Sequence, residues 1–136
     1  MNGIRIKATD KSPGVYFSPA EGKFEMEGNS WPENARSFFA SIQYKLREYF
    51  KNLAQEAEPH EYPHHSISFI FKLAYLNSSS TKYLSDLLAL VGTFYMKGIA
   101  IKIYWYFEAG DEDMKEIGEE LSELINLPFT LLMIDK

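Results

Sequence analysis

The stretch Ser66-Ile67-Ser68-Phe69-Ile70-Phe71-Lys72-Leu73-Ala74-Tyr75-Leu76, followed at once by Asn77-Ser78-Ser79-Ser80-Thr81, decides the architecture. Ile67, Phe69, Phe71, Leu73 and Tyr75 recur at every second position, and Ile70, Ala74 and Leu76 add apolar groups on the opposite side. That is the pattern of a strand covered on both faces at the centre of a sheet. The polar run ends the strand and supplies a helix cap. Leu84, Leu87, Leu88, Val91, Phe94 and Tyr95 then follow at helical spacing until Lys97 and Gly98 close the helix.

Working outward, Ile99, Ile101, Ile103, Trp105 and Phe107 alternate as a further strand. Gly110 and Asp111 lead into a third helix with Met114, Ile117, Leu121, Leu124 and Ile125 inward, Pro128 stops it, and Phe129 to Ile134 form a last strand. Upstream, Ile4, Ile6 and Ala8 mark a short strand, and Val15 to Ser18 with Lys23 to Glu27 flank a Gly-containing turn, as in a hairpin. Ser30 and Glu33 have the capping-box spacing for a helix that carries Phe38, Phe39, Ile42, Leu46, Tyr49, Phe50 and Leu53 to about Gln55. Ala57 to His65, with Pro59 and Pro63, reads as an exposed connection. The expected fold is α/β: a mixed sheet with an N-terminal hairpin, a C-terminal βαβαβ unit of parallel strands and three main helices, in one domain over residues 1–136.

A hydrophobic share of 46% in 136 residues is enough for a core without staples. Nineteen acidic against fourteen basic residues leave a formal charge of -5, which repels phosphate backbones and anionic lipid and argues against nucleic acid as a partner. The chain has no cysteine, so disulfides, thiolate nucleophiles and cysteine metal sites are excluded. No apolar run reaches membrane-spanning length, and Met1 to Ser12 lack an apolar signal core. The expectation is a soluble, cytoplasmic protein with no membrane partner.

The segment Tyr75 to Lys82 carries the chemistry, because four hydroxyls gather where a parallel strand gives way to a helix. Ligands and partners collect at that edge, and the first helical turn offers unpaired N–H groups and partial positive charge. Phosphorylation there adds charge and acceptors that exclude a partner packed on the neutral surface. The plainer alternative is that Asn77 or a serine caps the helix while the others face water. No Gly-x-Ser-x-Gly elbow surrounds these serines, and no phosphate-cradling glycine loop or HExxH pair occurs, so enzyme chemistry has no starting point.

His60, His64 and His65 lack regular metal-ligand spacing, and Glu108, Asp111, Glu112 and Asp113 suit a helix dipole better than a cation. Glu116, Glu119, Glu120 and Glu123 read as the third helix's wet face. Tyr104, Trp105 and Tyr106 read as packing rather than a ring-binding site. No cofactor and no metal are expected.

Four groups of residues together resemble the SiaC-type biofilm-regulation phosphoproteins over nearly the whole chain. They are Gly28-Asn29-Ser30-Trp31-Pro32-Glu33-Asn34 with Phe38-Phe39, Tyr75-Leu76-Asn77-Ser78-Ser79-Ser80, Ile103-Tyr104-Trp105-Tyr106, and Glu119-Glu120 leading to Pro128-Phe129. The resemblance implies a fold related to the STAS domains of anti-sigma-factor antagonists and a partner-switching role. A serine/threonine protein kinase would phosphorylate the domain and a PP2C-type phosphatase would restore it. The unmodified form would engage a target such as a diguanylate cyclase, and so act on cyclic-di-GMP. The acceptor implied is Ser78, directly after Asn77, where relatives also carry threonine. Asn77, Ser79 and Ser80 would form the switch loop, and Trp31, Glu33, Asn34 and Tyr75 are candidate partner-binding residues. The alternative is a small-molecule sensor with a pocket among Trp31, Tyr75, Tyr104 and Tyr106.

Overall fold

Period-two apolar runs and period-3.6 apolar faces alternate along the chain, and each becomes the element its period favours. The computed structural model describes residues 3–56 and 66–135. Its elements are β1 (Ile4–Ile6), β2 (Gly14–Ser18), β3 (Lys23–Ser30), α1 (Ala35–Glu56), β4 (Ile67–Leu76), α2 (Ser78–Met96), β5 (Ile101–Glu108), α3 (Glu112–Ile125) and β6 (Phe129–Ile134). The six strands form one sheet in chain order, with β1, β2 and β3 antiparallel and β3, β4, β5 and β6 parallel. The expected hairpin and βαβαβ unit are both present. Right-handed crossovers that each advance one strand in the same direction leave their helices on one face.

Side-chain contacts place the helices on that one face. Phe50 of α1 stacks between Phe69 of β4, 6.3 Å away, and Phe94 of α2, 4.8 Å away. Tyr49 of α1 meets Phe17 of β2 edge-on at 5.0 Å. Trp105 of β5 lies under α3, where its Nε1 donates to the Met114 carbonyl at 2.9 Å. Phe17, Phe24 and Phe69 share a row across three strands and Phe71 and Trp105 a second row across two, so the core is an aromatic layer between sheet and helices. Gly118 lets α3 come down onto Trp105, since a Cβ there would sit 2.4 Å from the indole Cδ1.

The expectation that β4 is covered on both faces does not hold. Lys72 and Ala74 are exposed and Ser68 and Ile70 only half-buried, because the second face of the sheet carries no helix. Tyr16, Glu25, Ile70 and Tyr104 form one row across that open face. Lys72 lies 3.9 Å from Glu25 and 5.1 Å above the Tyr106 ring. Of the aromatic triplet, Trp105 is core, while Tyr104 and Tyr106 line the open surface.

Three further expectations are corrected. Ser30 does not cap α1, because β3 continues through it in register with Leu76; Asn34 caps instead, its Oδ1 accepting from the Ser37 amide at 3.0 Å. Glu33 consequently lies in the turn before the helix. Tyr75 does not share the inward face of Leu73. A bulge leaves Ala74 unpaired between Leu73, opposite Gly28, and Tyr75, opposite Asn29, so Leu73 and Leu76 both point inward and Tyr75 turns out, 51% exposed. Leu124, expected inward, is 73% exposed; Met114, Gly118 and Leu121 form the buried stripe of α3. The connection from Ala57 to His65, with the three histidines, lies outside the described residues.

Candidate functional site

The carboxyl edge of the parallel strands collects the residues that the sequence singled out. Ser30 ends β3, Leu76 ends β4, and the Asn77 amide donates to the Ser30 carbonyl at 3.0 Å, so the two strands leave the sheet at the same level. Asn77 is the cap of α2: extended in backbone, it accepts from the Ser80 amide through Oδ1 at 2.8 Å. That leaves Ser78 and Ser79 as the first two helical residues, whose amides have no intrahelical acceptor.

The four hydroxyls are not equivalent. Ser78 and Ser79 are exposed, whereas Ser80 is fully buried and its Oγ accepts from the Ser30 hydroxyl at 2.8 Å. Thr81 is half-buried and its Oγ1 donates to the Asn77 carbonyl at 2.9 Å. Two hydroxyls therefore hold the helix start together and two stand free. Sequence reasoning grouped all three serines and missed the Ser30–Ser80 pair, since a contact across fifty positions has no local signature.

Trp31, 40% exposed, and Glu33 are joined by a residue that the sequence did not suggest. Lys11 accepts the Trp31 amide through its carbonyl at 2.7 Å, lies 5.5 Å above the indole ring, and reaches Glu33 at 3.4 Å. Asn34 is tied to its capping role. Tyr75 stands apart from them, over a groove of about 430 Å³ lined by Ala74, Leu76 and residues of α3. Trp31, Tyr104 and Tyr106 do not line that groove, and none of the described pockets brings together the four aromatics of the sensor alternative. Among the described residues no group of three or more acidic or histidine side chains is placed to hold a metal, and Asp111 caps α3 by accepting from the Met114 amide at 3.1 Å. No described helix is long and apolar enough to cross a membrane.

A two-layer α/β domain with a bare sheet face thus carries free hydroxyls at a capped helix start on its carboxyl edge, where ligands of open α/β sheets gather. The family model of the SiaC family regulatory phosphoproteins matches residues 6–134, and the chain belongs to that family. An uncharacterized protein of Pseudomonas aeruginosa strain UCBPP-PA14 is 26% identical over 136 residues, all of both chains. The apo form of SiaC from Pseudomonas aeruginosa has the same fold, with a TM-score of 0.82 at 23% identity over 97% of this chain and 99% of that one. SiaC as the activator in complex with the diguanylate cyclase SiaD, from the same organism, superposes with a TM-score of 0.82 at 23% identity over 96% of this chain and 99% of that one.

Proposed function

We propose that this chain is a non-enzymatic partner switch in the cytoplasm, controlled by phosphorylation of Ser78, whose unmodified form binds and activates a diguanylate cyclase. The observation that carries the reading is the position of Ser78: an exposed hydroxyl on the first residue of a capped helix at the carboxyl edge of the sheet. Family membership supports the phosphoprotein character, and the complex of the related SiaC with its cyclase supports the class of target.

The chemistry of the site favours this acceptor. Ser80 is sealed against its Ser30 partner, and Thr81 is already engaged as a donor, so a kinase reaches neither without opening the helix start. Ser79 is free but one position further into the helix. A phosphate on Ser78 adds about -1.5 to -2 charge. It would meet the free first-turn amides and the positive end of the helix, with Lys82 one turn on. The kinase would be a serine/threonine protein kinase and the opposing enzyme a PP2C-type phosphatase. Asn77 shapes the turn, and Trp31, Glu33, Asn34 and Tyr75 flank or support the contact surface.

The test is binding and cyclase activation by the wild type, Ser78→Ala and Ser78→Asp proteins and by protein phosphorylated at Ser78. Wild type and Ser78→Ala should bind and activate alike, the phosphorylated form should do neither, and Ser78→Asp should fall between them because a carboxylate carries less charge than a phosphate. Equal activation by all four would overturn the proposal.

A further inference from the structure

The sheet splits at its carboxyl edge. The ladder between β4 and β5 ends at Phe71 and Trp105, whereas β3 stays with β4 to Leu76 and β6 stays with β5 to Glu108. The first half of α3 lies across the split, and the groove under Tyr75 occupies it, with Ala74, Leu76, Met114 and Ile117 as apolar lining. Its remaining lining residues are Asp111, Asp113, Glu116 and Glu120, all acidic.

These acids are gathered along one groove. Lys11 meets Glu33, and Lys23 and Lys72 meet Glu25, but none of the described ion pairs involves a residue of the groove. The helix dipole accounts for Asp113 in the first turn of α3, yet Glu116 and Glu120 lie beyond it. Acids three and four positions apart on one helical stripe repel each other and weaken the helix. Tyr75 is turned onto this stripe by the bulge at Ala74. An apolar floor, an exposed aromatic and an acidic rim with no described ion pair together match a cationic occupant with an apolar anchor.

We infer that the groove between the end of β4 and α3 is a docking site for a basic segment of a partner protein, an apolar side chain seated against Tyr75 and Ile117 and lysines or arginines over Glu116 and Glu120. This deepens the partner-switch reading and rests on it for the partner's identity. Ser78 follows Leu76 by two residues, so the groove adjoins the phosphoacceptor. A phosphate has the sign of the rim and does not repel a cationic segment. The groove is thus the constant part of the interface, and the neutral surface around Ser78 is the switched part.

The probe is a short synthetic peptide of lysines with leucine at every third position, titrated into isotopically labelled protein and followed by amide shifts. Shifts should concentrate at residues 74–76 and 111–120. Glu116→Lys combined with Glu120→Lys should weaken binding by about tenfold or more, while the same charge change at Glu119→Lys with Glu123→Lys, exposed on α3 but outside the groove lining, should weaken it by less than about threefold. Tyr75→Ala should also weaken it, and a peptide of glutamates with the same leucines should not bind. Equal loss from both charge reversals, shifts spread over other acidic surfaces, or reproduction of the same shifts by magnesium ion alone would overturn the inference. Purified cyclase separates this inference from the switch. If it binds and responds to Ser78 phosphorylation but ignores the groove reversal, the groove fails and the switch stands. If it binds no form, the switch fails and the peptide decides the groove.

Discussion

Ser30 donates a hydrogen bond to Ser80 across 2.8 Å, and both residues are wholly shielded from solvent. This pair joins the end of β3 to the first turn of α2, directly behind the exposed Ser78. Removing one hydroxyl strands the other, which costs about 1–3 kcal/mol, whereas removing both leaves nothing unpaired. Ser30→Ala and Ser80→Ala should each lower stability in urea unfolding by that order, and the double variant should lose clearly less than their sum. Strict additivity would show that the two hydroxyls do not depend on each other.

Asn77 holds α2 at its start. Asn77→Ala leaves the Ser80 amide without its acceptor and should cost about 1 kcal/mol in the same measurement. Asn77→Asp should keep the cap at neutral pH, because a carboxylate also accepts that amide and complements the helix dipole.

Close approach of α3 to Trp105 predicts the behaviour of Gly118. Gly118→Ala puts a methyl group 2.4 Å from the indole Cδ1, so α3 must lift or the ring must turn, at about 1–3 kcal/mol. The thermal midpoint should fall, and the tryptophan emission should change because the bond from Trp105 Nε1 to the Met114 carbonyl is disturbed.

Burial raises the Tyr49 phenol above its ordinary value of 10.0. The folded state therefore favours the protonated ring: its contribution to stability is complete below pH 10.0 and is lost as pH rises through the folded value. Tyr49→Phe cannot ionise. As pH is raised past 10.0, wild type should lose stability faster than this variant in parallel urea titrations.

Local chemistry made much of this legible in the sequence. A helix capped within the run from Asn77 to Thr81, the inward Leu84, Leu87, Leu88 and Val91, and the parallel β4-α2-β5-α3-β6 path follow from capping and periodicity, which act over a few residues. What escaped depends on pairing with distant strands. Ser30 and Glu33 have the spacing of a capping box, but Ser30 gains a ladder partner in Leu76 and a buried hydroxyl partner in Ser80, and that outweighs a cap. Ile70 and Leu76 look like a second apolar face for β4. Yet Ile70 is aligned with Glu25 and Tyr104 on an uncovered surface, and the bulge at Ala74 sends Leu76 inward and Tyr75 outward. The motif residues Ser78 and Tyr75 were thus recognisable from sequence, while their surroundings, the buried hydroxyl pair and the acidic groove, exist only once the sheet is assembled.

The account turns on which hydroxyl carries the phosphate, and peptide mass mapping of protein isolated from its own cells, with and without PP2C-type phosphatase, tests this most directly. The account predicts a phosphatase-sensitive gain of about 80 Da, one phosphoryl group, fragmenting to Ser78. A phosphate on Ser80, or none between Ser78 and Thr81 across varied growth conditions, would contradict it.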